Sequence, residues 1–375
     1  MNFRGATAML VSAMFAVACM RSDAEAGKND DGYGQTRDAV LELINRASEK
    51  GRSLSGVQVN EYEVFIQCTS LERTHELTGK WPAVLGLELM FIIENPAYRG
   101  FFMKRAKEHA ARGGLVALTW HARNPLEVCP RGEYYKCSQH PMTDAALARL
   151  LDPSTHEHAL WAKDVDAIAD VLKELEAAGV AVIFRPYHEM NGGWFWWGQK
   201  QRYVDLWRAL HKRLTEKHGL REMAWTWSSD KESVDVARYY PGDAFVDVVG
   251  ADLYSRDRSG PMYETAKTNV SELRPSDVFA FTEIGLLPSP EIFTAIKPAW
   301  FLLWGGEFMD ARWSAEPCDL CNKAEDVAAI YALDAVLTLD EIAWPKQVDD
   351  NIDKRARAAP PPVSCPTSLI EEQQE

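Results

Sequence analysis

Val180-Ala-Val-Ile-Phe184-Arg-Pro-Tyr-His-Glu-Met-Asn-Gly-Gly-Trp-Phe-Trp-Trp-Gly198 begins as an unbroken apolar run and then turns abruptly polar, at Arg185, His188 and Glu189. An apolar run without alternation reads as a strand buried on both faces, as in a parallel sheet. Gly192-Gly193 marks a turn, and four aromatic residues, Trp194 to Trp197, follow it. Seven other stretches share the apolar, β-rich character: Leu54–Val59, Ala83–Leu89, Leu115–Trp120, Met223–Trp227, Phe245–Gly250, Val278–Phe281 and Ala299–Trp304. Amphipathic, helix-like segments such as Tyr98–Arg112, Asp164–Ala178 and Tyr203–Lys217 lie between them. Strand–helix alternation of this kind predicts parallel βαβ units.

Eight such units in one α/β domain predict a (β/α)8 TIM barrel. A doubly wound open sheet is the alternative, but it usually carries a glycine-rich phosphate loop after its first strand. Asn60-Glu-Tyr-Glu63, which follows Val59, has no glycine. No P-loop or dinucleotide fingerprint occurs, and His188-Glu189 runs into Met-Asn-Gly, without the second histidine of a zinc-protease helix.

In such a barrel, chemistry sits at the C-terminal ends of the strands. Those ends are polar here: Trp120-His121, then Arg185 with His188-Glu189, then Trp227-Ser228, Asp252 and Tyr254, Thr282-Glu283, and Trp304. Two glutamates, Glu189 and Glu283, follow the fourth and seventh strands and would face each other across the barrel mouth. Retaining glycosidases need such a pair roughly 5–5.5 Å apart. Glu283 reads as the nucleophile, kept ionised by donors such as Tyr254 and Arg185. Glu189 reads as the acid/base, its proton retained by the neighbouring negative charge until Glu283 is esterified. Trp304 suits the floor under the reacting sugar and Trp194 one side wall, with His121 and His188 as partners for hydroxyls. Phe195, Trp196 and Trp197 suit packing beneath the site as well as lining it.

The remaining composition agrees with a polysaccharide partner. The chain has 375 residues, 46% hydrophobic, enough for one large core. Its net charge of −14 argues against a nucleic-acid partner, whose phosphates it would repel. Thirteen tryptophans are many for this length and suit sugar binding as well as a core. Residues 1–26 read as a signal peptide, with a short apolar run Ala6–Ala18 and an Ala24-Glu-Ala26 cleavage site. A lipid anchor at Cys19 is the lesser reading. No other segment is long and apolar enough to span a bilayer. Residues 27–35 read as a flexible leader, 36–345 as the catalytic domain and 346–375 as a poorly ordered or surface-tied tail. A secreted or cell-surface monomer is expected.

Six cysteines follow the signal: Cys68, Cys129, Cys137, Cys318, Cys321 and Cys365. An even number in an exported chain favours disulfides, with Cys129–Cys137 the best pair. Cys318-x-x-Cys321 lacks the second ligand pair of a zinc site and reads as structural. No metal ligand set and no cofactor are expected.

These blocks closely resemble glycoside hydrolase family 26, the β-mannanase family of the large retaining barrel clan. The resemblance lies in Trp81–Gly86, Gly114–His121, Arg185–Gly198, Tyr240–Asp243 with Val249–Tyr254, and Thr282–Gly285. It implies hydrolysis of β-1,4-mannosidic bonds with retention, Glu189 as acid/base and Glu283 as nucleophile. It also implies that Tyr254 bonds the nucleophile and that His121, Arg185, His188, Trp194, Asp252 and Trp304 build the subsite of the cleaved sugar. His188 stands where most clan relatives carry Asn. The segments Asn124–Thr143, with its two-cysteine loop, and Ser255–Pro275 depart from the family pattern. A secreted endo-β-1,4-mannanase acting on mannan, glucomannan or galactomannan is therefore the leading expectation. A mixed-linkage β-glucanase, a β-1,3-xylanase or a silent carbohydrate-binding protein are the alternatives.

Overall fold

The computed structural model describes residues 34–349, apart from 61, 62, 64, 65, 94, 232–234, 259, 275–277 and 315, together with Cys365. The expected signal peptide and the Cys19 anchor lie outside these residues.

Eight parallel strands close into a barrel: β1 (Gly56–Gln58), β2 (Val84–Glu88), β3 (Leu115–Trp120), β4 (Val182–Pro186), β5 (Met223–Asp230), β6 (Val248–Leu253), β7 (Phe279–Ile284) and β8 (Phe301–Leu303). Each pairs with the next in chain order, and Val57 opposite Leu303 closes the ring. Every residue of these strands is buried, which is why they read as continuous apolar runs and not as alternations. All eight sequence-derived strands are present, with shifted ends. Leu54 belongs to a separate two-residue pairing of Ser53–Leu54 with Val336–Leu337. Phe245 lies in a 3-10 turn after Gly242, whose φ of 99° interrupts the extended chain before β6.

Four strands, β4 to β7, outrun their apolar signal. β5 continues through Ser228, Ser229 and Asp230, because these pair with Gly250, Ala251 and Asp252 of β6. In β7 the register slips: Ala251 faces Phe281, whereas Asp252 faces Glu283, so Thr282 is the extra residue. Such a bulge breaks the two-residue alternation of side chains and re-aims them. Thr282 and Glu283 both reach the polar cluster at the barrel mouth as a result.

Several of the helices start on side-chain caps. α1 (Arg37–Glu49) is capped by Thr36, α2 (Ser70–Thr78) by a Thr69/Glu72 capping box, and α3 (Pro96–Ala111) by Asn95 with Pro96 in the first turn. After β3 come α4 (Tyr134–Ser138), α5 (Asp144–Leu150) and the 22-residue α6 (His156–Ala177), capped by Thr155. α7 (Tyr203–Lys212) runs into a single π turn, Arg213–Lys217. Both ends of the domain are tied down. Gln35, expected in the flexible leader, is buried, and its side-chain amide donates to Gly114 O at 2.9 Å. Trp344 donates its indole N–H to Gly113 O at 2.7 Å. Three disulfides form, Cys68–Cys365, Cys129–Cys137 and Cys318–Cys321, so the CxxC pair is a local bridge. No helix of the described residues is long and apolar enough to cross a membrane.

Candidate active site

A cleft of about 540 Å³ opens where the C-terminal ends of the strands converge. Glu189, Glu283, His121, Trp194, Tyr254 and Trp304 all line it, so six of the nine sequence-derived site residues share one cleft. The other three lie beneath the surface: Arg185 is 3% exposed, His188 1% and Asp252 0%. Their partners are the lining residues and one another.

The turn after β4 holds Glu189 in an unusual backbone state. Tyr187 has φ 45° and Glu189 φ 53°, in the left-handed region that β-carbons disfavour. Several bonds enforce it. The Glu189 amide donates to Ser228 O at 2.9 Å, Tyr203 Oη to Tyr187 O at 2.8 Å, and Trp197 Nε1 to His188 O at 2.7 Å. Trp196 and Trp197 are almost fully buried and pack under this turn, while Phe195 and Trp194 face the cleft. Gly192 is needed here, because a β-carbon would stand 2.3 Å from the Trp194 ring. With that space open, the Trp194 indole lies across the turn and donates to Glu189 Oε2 at 2.6 Å.

Glu283 is bonded quite differently. Tyr254 Oη donates to its Oε1 at 2.6 Å, and Arg185 Nη2 donates to its Oε2 at 2.5 Å. Arg185 also donates to Asp252 Oδ2 at 2.6 Å and to Thr119 Oγ1 at 3.1 Å. Asp252 accepts in turn from Thr282 Oγ1 at 2.7 Å. One guanidinium thus bridges two buried carboxylates, in the charge-assisted geometry that fixes orientation most tightly. His188, Asp252 and Glu283 offer ligand atoms within 4.8 Å of one another, the single such cluster among the described residues. Arg185 already supplies the positive charge there, and a cation would have to displace it.

The electrostatics separate the two glutamates. Burial pushes the Glu189 carboxyl well above the ordinary carboxylate range, and the charges of Asp252, Glu283 and Asp230 push the same way. Asp252 is raised to about 7, by burial first, against the pull of Arg185. For His121, burial works against the charged form, but the charge and hydrogen bond of Glu88 outweigh it and its pKa rises. Its Nδ1 sits 2.6 Å from Glu88 Oε2, and its Nε2 sits 3.1 Å from His188 Nε2. His188 is held well below its ordinary value by burial and by Arg185. His121 therefore donates from both nitrogens and His188 accepts.

Sequence reasoning missed several lining residues: Asn60, Met90, Tyr135, Asp230, Lys231, Glu307 and Phe308. It also missed Glu88, the buried partner of His121, which is hidden inside the apolar run Leu85–Met90. Asp230 and Lys231 were within reach, since the polar end of the fifth strand lies only three residues past Trp227. Tyr135 sits inside the two-cysteine loop, where no apolar pattern points to the cleft.

Known proteins share this architecture. The profile of glycosyl hydrolase family 26 matches residues 34–341. A "Mannan endo-1,4-beta-mannosidase" of Thermothelomyces thermophilus is 34% identical over 282 residues, 71% of this chain and 54% of the relative. One from Bacillus subtilis is 31% identical over 66% of this chain and 69% of its own length. The chain thus spans about half the length of the first of these relatives. Among solved structures, the Podospora anserina GH26-CBM35 β-(1,4)-mannanase superposes with a TM-score of 0.68 at 31% identity, over 85% of this chain and 70% of that one. GH26A from Muricauda sp. MAR_2010_75 gives 0.71 at 28% identity, over 82% of this chain and 97% of that one.

Proposed function

Because this chain belongs to glycosyl hydrolase family 26, we propose that it is a retaining endo-β-1,4-mannanase working by double displacement. The observation that carries the reading is an asymmetry between two carboxylates in one cleft. Both oxygens of Glu283 receive donors, from Arg185 and Tyr254, whereas Glu189 is raised by burial and by its charged neighbours. An anchored carboxylate suits attack; a carboxyl that keeps its proton suits protonation of a leaving group.

In the first step a Glu283 oxygen bonds to the anomeric carbon, the glycosidic C–O bond breaks, and the Glu189 proton passes to the leaving oxygen. The Glu283 charge is consumed in the ester. One of the causes that raises Glu189 is then gone, so it is free to act as base. In the second step water attacks the same carbon, Glu189 takes its proton, and Glu283 departs as carboxylate. Two inversions give net retention. Trp304 serves as the platform for the cleaved sugar, and His121, held by Glu88 and His188, forms part of the wall beside it. Further aromatic residues lining the cleft, Trp194, Tyr135 and Phe308, support binding of a polymer and hence endo action.

We further read residues 36–345 as the catalytic domain and the chain as an exported, monomeric protein. Three disulfides support an oxidising location. The experiment is release of reducing ends from mannan, glucomannan, galactomannan, mixed-linkage glucan and β-1,3-xylan. Release from the mannans, with little from the other two, is the expected outcome. No release from any mannan overturns the proposal.

A further inference from the structure

The loop between Cys129 and Cys137 extends the catalytic cleft. Among the described residues only four large hydrophobic side chains are exposed: Val128, Tyr135, Trp194 and Met262. Tyr135 and Trp194 both line the cleft, and Tyr135, 46% exposed, lies within the disulfide-closed loop. Two exposed rings lining one cleft offer faces on which a ligand can pack. The Tyr135 ring also has fixed neighbours. It meets His121 edge-on at 5.3 Å between centroids and Phe195 at 6.3 Å, so it continues the aromatic lining of the cleft.

The loop is built to hold that position. Cys137 is buried, and its carbonyl accepts the Asn124 amide at 2.9 Å. Ser138 O accepts the Trp196 amide at 2.9 Å, which ties the loop to the turn that carries Glu189. Tyr134, next in sequence to Tyr135, packs edge-on against Phe91 at 4.6 Å, so consecutive tyrosines point one to the core and one to the cleft. The Cys129–Cys137 bridge closes the segment into an eight-residue separation and limits the conformations that its short helix, α4, can leave.

We propose that Tyr135 forms the face of a further sugar subsite, outside the sugar that is cleaved, and that the Cys129–Cys137 bridge pre-organises it. The inference rests on the mannanase reading. A neutral pyranose ring is the ligand class that an exposed phenol ring beside this cleft fits, because its C–H face packs on the aromatic face. The loop then sets how long a substrate must be before it is cleaved well. A pre-ordered ring captures the chain without a fresh ordering cost.

The test is kcat/KM on manno-oligosaccharides of increasing length, for wild type, Tyr135→Ala, Tyr135→Phe and the Cys129→Ser/Cys137→Ser double variant. Thermal melting of each is recorded alongside. Tyr135→Ala is expected to lose roughly tenfold on substrates that reach the subsite, the scale of one ring contact, and little on the shortest one cleaved. Tyr135→Phe, which keeps the ring, recovers most of that loss. The cysteine variant shows the same length dependence in weaker form. An equal loss at every length, or no loss at any, overturns the proposal. Failure of wild type to cleave any manno-oligosaccharide rejects the mannanase reading instead.

Discussion

Replacing Glu189 with alanine should divide the two chemical steps according to the leaving group. Glu189 is 7% exposed, and burial together with Asp252, Glu283 and Asp230 keeps its proton on at pH values where a solvated glutamate has lost it. A placed general acid contributes about 10²–10⁴-fold, or about 3–5 kcal/mol of barrier. That contribution matters for a sugar alkoxide leaving group and very little for a dinitrophenolate. On mannan, Glu189→Ala should therefore lose 10²–10⁴-fold in kcat. On a dinitrophenyl mannobioside, formation of the glycosyl-enzyme should proceed near the wild-type rate and its hydrolysis should be slow, giving a burst followed by a low steady state. Azide, which needs no base, should relieve the slow step and give a β-configured glycosyl azide. The pH profile carries the same information. Wild type needs Glu189 protonated in the first step, so its activity falls as pH rises through the raised pKa, and the variant should lack that alkaline limb. Equal losses on both substrates, with no burst and no azide product, would refute the assignment of Glu189.

Other consequences are open to measurement. Tyr254→Phe removes one of the two donors on Glu283, a bond to a charged group on the scale of about 1.5–3 kcal/mol, so kcat/KM should fall roughly tenfold to a hundredfold with the fold intact by circular dichroism. Glu189→Gln should raise the melting temperature at pH 7 more than at pH 4. The folded protein holds the Glu189 proton longer than the unfolded chain does, so wild type loses stability as pH climbs from the ordinary glutamate pKa through the raised one, and glutamine does not. Asp310→Ala would strip the buried Arg73, 4% exposed at its side chain, of its 2.6 Å partner, leaving only Glu76. That should cost about 3 kcal/mol and lower the melting temperature by roughly 4–5 °C in calorimetry.

Much of this protein is legible in its sequence because a buried parallel strand has a simple signature. All eight barrel strands announced themselves as apolar runs, and residues named at the ends of the third, fourth, sixth, seventh and eighth runs line the cleft at the barrel mouth. Glu189 and Glu283 were legible for that reason, with His121, Trp194, Tyr254 and Trp304. What depends on register was not legible. The extra Thr282 in β7 moves Glu283 opposite Asp252, and no periodicity in Val278–Phe281 foretells it. Glu88 reads as a polar interruption until β3 brings His121 beside it. Arg185 was legible as a donor to Glu283, and it bonds that carboxylate. The resemblance implies that Arg185, His188 and Asp252 build the subsite of the cleaved sugar, and in the structure their side chains bond Glu283, His121 and one another. Tyr135 depends on a disulfide loop whose path only the fold supplies.

The most direct test of the two-carboxylate account is covalent trapping. A 2-fluorinated mannobiosyl fluoride slows both steps but keeps a good leaving group, so the first intermediate accumulates. Mass spectrometry of the inactivated protein should find one sugar adduct, on the peptide that contains Glu283, released on incubation with an acceptor sugar. An adduct on any other residue, or turnover that delivers the α-anomer first with no adduct at all, would contradict the account.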